Sequence, residues 1–243
     1  MTVDVRSLEL STLAAVPPEE LLERDGWLLA IDGGTVGRAH SAVPTRHDGA
    51  GIGAAEIERE YASRGRRAVF RVPMLPAFDA LRSDLASLGY RAEQPTLTMA
   101  GTPAGLQSLP SPAEVELGSS PGEDWAQVFL GEGFDPVDGA SRLGILKRGR
   151  QSVFAAVRDQ GRVVAVGSAG LAHGWCGIHG MRTLPAWRGR GFAAAILSRL
   201  GDEAQARGID RAFLQVEMRN TAQRLYGRAG FQPVWVYEYW RRA

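Results

Sequence analysis

Two glycines alternate with arginines in the stretch Arg188-Gly189-Arg190-Gly191, immediately before a pattern typical of an amphipathic helix. Glycine lacks a Cβ, so the backbone there can come close to a ligand. The first N–H groups of a helix have no partner inside the helix, and the helix dipole adds partial positive charge at the same end. This order of residues therefore predicts a cradle for a phosphate or pyrophosphate group.

Two further side chains, a glutamate and a histidine, are candidates for proton transfer. Glu217 alternates with Phe213 and Gln215 along a predicted strand, so it can face a cleft on one side of a sheet. His179 lies two residues before Met181, on the strand that leads into the glycine loop. Each also has a structural interpretation, because a glutamate at a strand end is usually solvated and a histidine flanked by glycines can simply pack.

The composition excludes several classes of protein. The 243 residues are 44% hydrophobic and carry a net charge of +1, which argues against a nucleic-acid binder that relies on a basic surface. Cys176 is the sole cysteine, so neither an intrachain disulfide nor a zinc site built from cysteines is expected. No apolar run reaches the ~18 residues of a membrane span, and the N-terminus lacks a signal-peptide core. We therefore expect a cytoplasmic protein without a metal, nucleic-acid or membrane partner.

The residues before the middle of the chain predict an alternation of short helices and strands. A helix is expected to begin at 17–22, where two prolines precede two acids. The glycine-rich stretch 48–53 follows loop residues rather than a strand, so we interpret it as a loop before a helix, with a nucleotide site as the least favoured alternative. The other predicted elements are strand 26–31, turn 32–34, strand 36–42, helix 57–65, strand 68–72, helix 78–88 and strand 90–99.

Segment 101–112 is rich in Pro, Gly and Ser and is predicted to link two regions, 1–100 and 113–243. Beyond it, three strands predict an antiparallel meander that delivers the chain to the glycine loop. The predicted elements are helices 124–130 and 140–148, strands 152–157, 163–171 and 175–183, a helix ending at Gly208, strand 211–217, a helix capped by Asn220, and strand 234–240. The fold class predicted is α+β, a mixed α/β sandwich whose central, mostly antiparallel sheet is flanked by helices.

The second region resembles the GNAT superfamily of acetyl-CoA-dependent N-acetyltransferases. The segments that carry the resemblance are 183–193 (TLPAWRGRGFA), 214–220 (LQVEMRN) and 225–231 (LYGRAGF). In the front half, 26–29 (GWLL) and 38–41 (RAHS) look like the N-terminal region of a group of two-part GNAT proteins. The resemblance implies a GNAT fold in the C-terminal half and a degenerate, GNAT-like α/β region without a cofactor loop in the N-terminal half.

The resemblance also implies acetyl-CoA as the co-substrate. Its pyrophosphate would be held by backbone N–H groups of the glycine loop, and its extended pantetheine arm would pair like a strand with the backbone near Met181 and Thr183. A backbone N–H in the gap between splayed strands would polarise the thioester carbonyl. Asn220 matches a position that contacts the pantetheine region, although helix capping explains it equally well. The implied coenzyme-binding residues are Met181, Arg182, Thr183, Arg188, Gly189, Arg190, Gly191, Phe192, Ala193, Asn220 and Tyr226.

Catalytic roles follow from the same resemblance. Tyr226 matches the tyrosine that acts as the general acid beside the coenzyme sulfur, and its structural alternative is a core tyrosine. An amine with an unperturbed pKa of ~10.4 must lose a proton before it attacks, and either Glu217 or His179 could take that proton through a water molecule. Cys176 is not expected to be a nucleophile, because direct attack by the amine needs no acyl-enzyme.

The leading hypothesis is therefore an N-acetyltransferase that moves an acetyl group from acetyl-CoA to a primary amine of a small molecule, peptide or protein within a ternary complex. The alternative is a non-catalytic GNAT-fold protein that senses acyl-CoA. The acceptor pocket is expected to involve the front half and segment 132–148. Trp235 and Trp240 are predicted to pack in the core rather than to mark an interface. The sequence leaves open whether the protein forms a homodimer.

Overall fold

One continuous sheet connects both halves of the chain in this computed structural model, which describes residues 3–242. The helices are α1 (Val5–Ala15), α2 (Ala54–Ala62), α3 (Asp79–Ser87), α4 (Pro103–Gln107), α5 (Glu123–Leu130), α6 (Pro136–Arg148), α7 (Phe192–Ala206) and α8 (Gln223–Arg228). The strands are β1 (Glu20–Arg24), β2 (Trp27–Ile31), β3 (Ser41–Pro44), β4 (Phe70–Pro73), β5 (Arg91–Gly101), β6 (Glu116–Gly118), β7 (Ser152–Asp159), β8 (Arg162–Ala172), β9 (Trp175–Thr183), β10 (Arg211–Glu217) and β11 (Gln232–Arg241). Short 3-10 turns cover Gly37–Ala39, Pro76–Phe78 and Pro185–Trp187. Within the described range, none of the helices combines the length and apolar character that a bilayer crossing requires.

The sheet has eleven strands in the order β1-β2-β3-β4-β11-β5-β10-β9-β8-β7-β6. Neighbouring strands run antiparallel except for the pairs β3–β4 and β9–β10, which are parallel. Helices flank this sheet, so the predicted α+β class with a mostly antiparallel sheet is confirmed. The meander predicted before the glycine loop is also present, as the antiparallel strands β7, β8 and β9.

The two halves of the chain interleave in the sheet. Strand β5 comes from the front half, yet it lies between β10 and β11, which both come from the back half. Segment 101–112, which we proposed as a linker, contains α4, where Leu106 is buried against the core of the back half. The boundaries 1–100, 101–112 and 113–243 stay a proposal about the chain, because the hydrogen-bonded ladder runs across them.

Two predictions for the front half are wrong. Residues 17–22 do not begin a helix; instead, Glu20–Arg24 pairs with β2, and the helix is α1, capped by the Asp4 side chain. The prolines at 17 and 18 follow a helix because the residue before a proline disfavours helical geometry. The tight turn predicted at 32–34 is also wrong: β2 and β3 do pair as antiparallel neighbours, but buried Asp32 accepts a hydrogen bond from the Gly34 N–H and pairs with Arg148, and β3 begins only at Ser41.

The predicted helix capped by Asn220 begins later than expected. The first helical residue of α8 is Gln223, and Ala222 occupies the cap position. Asn220 still caps locally, because its Oδ1 accepts a hydrogen bond of 2.9 Å from the Ala222 N–H. Helix α6 begins earlier than predicted, at Pro136, where the Asp135 side chain accepts from the Asp138 N–H. The start of α6 thus coincides with a side-chain cap, whereas α8 begins without one.

The back half of the sheet has two differently covered faces. On one, which we call the α7 face, Leu197 and Leu200 of α7 pack with Leu214 of β10. On the other, the α1 face, Leu8 of α1 packs with Phe213 of β10. Because successive strand residues point to opposite sides, the even positions of β10 from 212 to 216 face α7 and the odd positions from 213 to 217 face α1.

A buried ion pair connects α1 to the front half of the sheet. Nη2 of Arg71, on β4, lies 2.8 Å from Oε2 of Glu9, and both side chains are essentially inaccessible. Burial is the largest single influence and lowers the pKa of Arg71, but Glu9, Tyr237 and Tyr239 together outweigh it, so that the net pKa is raised. Nε of Arg71 also donates to Ser41 Oγ at 3.2 Å, and the guanidinium lies over the Tyr237 ring. Residues of α1, β3 and β11 thus all contact the Arg71 guanidinium.

We predict that Glu9→Gln lowers the free energy of unfolding by about 3 kcal/mol, because it leaves the buried Arg71 charge without compensation. Urea denaturation followed by circular dichroism measures this. Glu23→Gln is the matched control: its ion pair with Arg6 is half-exposed, so its loss is expected to change stability little. Equal effects of the two substitutions would show that Glu9 does not stabilise the fold through its charge.

Candidate active site

Strands β9 and β10 run side by side for only part of their length. Their parallel pairing extends from Trp175 and Arg211 to Ile178 and Leu214. Beyond that point β10 keeps its antiparallel partner β5 as far as Glu217, while β9 keeps β8 as far as Thr183. The two strands therefore diverge, and within residues 3–242 one edge of β9 has no strand partner over residues 179–183. The sheet is open between β9 and β10 beyond this point, and we call this gap the cleft.

A β-bulge in β9 accompanies the divergence. His179 pairs with Ser168 and Arg182 pairs with Val166, so two residues of β9, Gly180 and Met181, oppose a single residue of β8. Gly180 has φ +61°, in the left-handed region. A bulge of this kind bends its strand and strengthens the local twist, which turns β9 away from β10.

The glycine loop ends where α7 begins, and its backbone donors are free. Gly191 is the cap residue of α7, with φ +82°, and no side chain caps the helix there. Within residues 3–242, the N–H groups from Gly189 to Ala194 have no hydrogen-bond acceptor. They border a cavity of about 320 Å³ that Thr183, Trp187 and Arg228 also line. Consecutive free donors at a helix N-terminus fit a pyrophosphate group, so the cradle expected from the sequence stays a prediction with suitable geometry.

The arginines of this region have different partners. Arg188 Nε donates to the Thr183 carbonyl at 3.2 Å, so its side chain folds back on the loop. Arg190 lies 3.6 Å from Asp159, which also accepts a hydrogen bond of 2.8 Å from Trp187 Nε1. Arg182, by contrast, donates to the carbonyls of Phe129 and Leu130 at the end of α5. The Arg182 side chain is therefore engaged away from the glycine loop, and only its backbone faces the cleft edge of β9.

Tyr226 lies on the α7 face of the sheet. Its side chain is 7% exposed and belongs to the same apolar cluster as Leu214 and Met181. Burial raises the pKa of Tyr226 to about 12, so its hydroxyl carries a proton at neutral pH. Such a group can donate a proton but is a poor acceptor. Tyr226 is thus a core tyrosine whose protonation state also suits a general acid.

Glu217 and His179 lie on the opposite, α1 face. Glu217 is exposed, and one of its oxygens accepts a hydrogen bond of 3.0 Å from Gln94 Nε2. His179 is buried against the Phe213 ring, and neither of its ring nitrogens has a hydrogen-bond partner among the described residues. Burial, followed by the nearby charge of Arg38, lowers the pKa of His179 to about 3. The imidazole is therefore neutral and a weak base, whereas Glu217 is accessible.

A second cavity, of about 230 Å³, lies on the α1 face beside Glu217. Arg38 of the front half and Arg142 of α6 line it, together with Gln215 and Thr96 from the neighbouring strands. The front half and segment 132–148, from which we expected an acceptor pocket, thus both contribute residues to this cavity. Sequence reasoning assigned no role to Arg38, although Arg38 begins segment 38–41, which carries part of the resemblance. Gln215 could have been found, since it alternates with Glu217.

Other features singled out in the sequence have structural explanations. A Cβ on Gly49 would lie 2.2 Å from the Ala77 carbonyl oxygen, so the glycine in stretch 48–53 permits close backbone packing. Cys176 is buried, and burial raises its pKa to about 12, which does not suit a nucleophile. Trp235 and Trp240 are buried in the chain itself, as predicted. Larger cavities, of about 620 and 780 Å³, touch neither β10 nor residues 188–194.

Comparison with known proteins shows the family to which the chain belongs. Residues 2–240 match the model of a family described as the probable histone acetyltransferase Rv0428c C-terminal region. The uncharacterized N-acetyltransferase YobR of Bacillus subtilis is 25% identical over 242 residues, which span 97% of this chain and 98% of YobR.

Solved structures share the fold across almost the whole chain. A GCN5-related N-acetyltransferase from Kribbella flavida has a TM-score of 0.67 at 16% identity and covers 98% of this chain and 96% of its own. A tandem GNAT protein from the clavulanic acid biosynthesis pathway has a TM-score of 0.59 at 13% identity, covering 97% and 94%. At these identities the likeness shows the fold alone. Since the family model spans nearly the full length, the chain belongs to the Rv0428c C-terminal acetyltransferase family and is an acetyltransferase of the GNAT superfamily.

Proposed function

We propose that the protein transfers an acetyl group from acetyl-CoA to a primary amine, within a ternary complex formed at the divergence of β9 and β10. The free N–H groups from Gly189 to Ala194, directly beyond the unpaired edge of β9, carry this proposal. They offer donors for a pyrophosphate, and the strand edge from His179 to Thr183 offers a ladder for an extended, amide-rich chain. Acetyl-CoA contains both groups and supplies the thioester acetyl.

In this mechanism the group that donates a proton and the group that accepts one lie on opposite sides of the cleft. Tyr226 on the α7 face holds its proton to high pH, which supports its proposed role of giving that proton to the departing sulfur. Glu217 on the α1 face has one carboxylate oxygen without a partner among the described residues and takes the proton that the amine loses, through a water molecule. The amine nitrogen bonds to the acetyl carbon, and the bond from that carbon to sulfur breaks. The net products are an amide, a thiol and one proton.

Of the two predicted bases, we therefore propose Glu217 rather than His179. The His179 ring is buried beside Phe213, and its pKa of about 3 leaves it little affinity for an ammonium proton. Asn220 acts as a local cap through its hydrogen bond to Ala222. Its role toward the coenzyme stays a prediction, as does that of Met181, Arg182 and Thr183.

We predict that Gly191→Val weakens acetyl-CoA binding at least about tenfold, as isothermal titration calorimetry measures it. A Cβ at this position would lie 2.8 Å from Pro112 Cγ, on a backbone with φ +82°, and would distort the cradle. Gly208→Val is the matched control at the other end of α7, where φ is +70° and no atom lies within 4 Å. Unchanged affinity in Gly191→Val, or equal losses in both variants, would argue against a coenzyme cradle at the glycine loop.

We predict that Tyr226→Phe lowers kcat by about 100-fold or more, the usual range for loss of a general acid, while the Kd for acetyl-CoA changes little. With the Tyr226 pKa at about 12, the wild-type enzyme should show no alkaline decline from this group below about pH 11. Tyr90→Phe is the control, because the Tyr90 hydroxyl bonds to Glu58, away from the cleft. A Tyr226→Phe variant with the wild-type kcat across this pH range would remove the acid from the mechanism.

We predict that Glu217→Gln slows transfer at neutral pH by about 100-fold, since an amide cannot accept the proton of the amine. The deficit should shrink as the pH approaches ~10.4, where an unperturbed amine is deprotonated by the solvent. Steady-state rates of thiol release over this pH range measure both effects, with His179→Gln as the comparison. A larger, pH-dependent loss in His179→Gln than in Glu217→Gln would assign the base to the histidine.

A further inference from the structure

We infer that the acceptor is a small amine that also carries a carboxylate, bound in the cavity on the α1 face with its anionic group at Arg38 and its amine toward Glu217. This inference rests on the proposed function and specifies its acceptor. It differs from what the family description suggests, because a histone tail is a long, strongly basic peptide. Five observations on the cavity carry it.

The charge of Arg38 is not neutralised within the protein. Among the described residues, no carboxylate lies within 4.0 Å of its guanidinium, whereas Arg142 pairs with Asp138 at 2.9 Å and Arg241 pairs with Glu93. Arg38 donates one hydrogen bond of 3.3 Å, to Gln215 Oε1. A half-buried guanidinium with spare donors is well suited to a carboxylate, which it can hold through two parallel hydrogen bonds.

The neighbouring amide also has an unused donor. Nε2 of Gln215 is inaccessible and has no acceptor in the described part of the chain, although Oε1 of the same side chain is bonded to Arg38. A buried donor without a partner is costly, so a small rotation of the Gln215 amide toward the cavity, where a ligand oxygen beside Arg38 would accept from it, is favoured. Arg38 and Gln215 together thus form a site with donors only, which an anion fills.

The position of Arg38 is fixed by packing. It lies in the 3-10 turn Gly37–Ala39, and the next residue, Ala39, is fully buried in the cluster that contains Ile145 of α6. The side chain is therefore presented to the cavity from a rigid turn. The influence of its charge on the pKa of His179 agrees with a position near the cleft.

The spacing between the anion site and the carboxylate sets the length of the ligand. Gln215 and Glu217 are alternate residues on the same face of β10, so their Cα atoms lie roughly 7 Å apart. A ligand with its anionic group at Gln215 and its amine near Glu217 must be about the size of an amino acid. The cavity of about 230 Å³ agrees with this size and is smaller than the sites that hold drug-sized molecules.

The charge balance also disfavours a basic peptide. Arg142 and Arg241 also line the cavity, but each has its own carboxylate partner, so Arg38 and Glu217 are the charged lining groups without an ion pair among the described residues. A peptide with several lysines would bring more positive charge beside Arg38, which no carboxylate neutralises. A zwitterion brings one charge of each sign, and each has a complementary partner.

The test measures coenzyme A release with pairs of amines that differ in the anionic group. Suitable pairs are an amino acid and its amide, and aminoethyl phosphate and ethanolamine, with a lysine-rich peptide added. We expect kcat/KM for the amino acid to exceed that for its amide at least about tenfold, the effect of one charge-assisted hydrogen bond. In Arg38→Gln this preference should fall to about one, mainly through KM, and Arg38→Lys should restore part of it. Arg46→Gln, at an exposed arginine outside the cavity, is the matched control.

Binding of acetyl-CoA is measured separately for every variant, so that the two hypotheses fail independently. If acetyl-CoA does not bind to the wild-type protein, the proposed function fails. If it binds but the amide, ethanolamine or the basic peptide is acetylated as well as the carboxylate-bearing amine, or if the preference survives in Arg38→Gln, the acceptor inference is overturned. A preference for aminoethyl phosphate over the amino acid would also contradict the carboxylate and assign the site to a phosphate.

Discussion

The divergence of β9 from β10 is the constraint on which the rest of the structure depends. Two parallel strands that stayed paired to their ends would leave no opening in the sheet. Here the pairing stops at Leu214, the bulge at Gly180 turns β9 away, and the released strand edge leads directly into the glycine loop. Only because the sheet opens at this point do the free N–H groups before α7 and the two faces of the cleft lie around one site.

The interleaving of the two halves makes that opening stable. A strand that leaves its neighbour loses hydrogen bonds on one edge, and β10 can do so because β5 pairs with it on the other edge as far as Glu217. Strand β5 in turn is held by β11, which continues to β4 in the front half. The front half is therefore part of the framework of the cleft and also supplies Arg38 to its wall.

The two faces of the sheet carry side chains of different polarity. The α7 face is apolar around Tyr226, and burial there keeps the phenol protonated. The α1 face carries polar and charged groups, among them Glu217 and the arginines of the front half and α6. A coenzyme that enters along the glycine loop and an amine that arrives from the α1 face would meet in the gap, with the acid and the base on opposite sides.

The sequence by itself determined the elements that local patterns encode. The meander, the glycine loop before α7 and the strand that carries Glu217 follow from alternation and glycine placement, because these depend on neighbouring residues. It could not determine that β5 lies between β10 and β11, that residues 20–24 form a strand, or that Arg38 lies beside Gln215. Those depend on contacts between residues far apart in the chain. The glycine loop could therefore be found from the sequence, whereas the cavity beside Glu217 was decided by the tertiary structure, since its walls come from distant segments that only the folded sheet brings together.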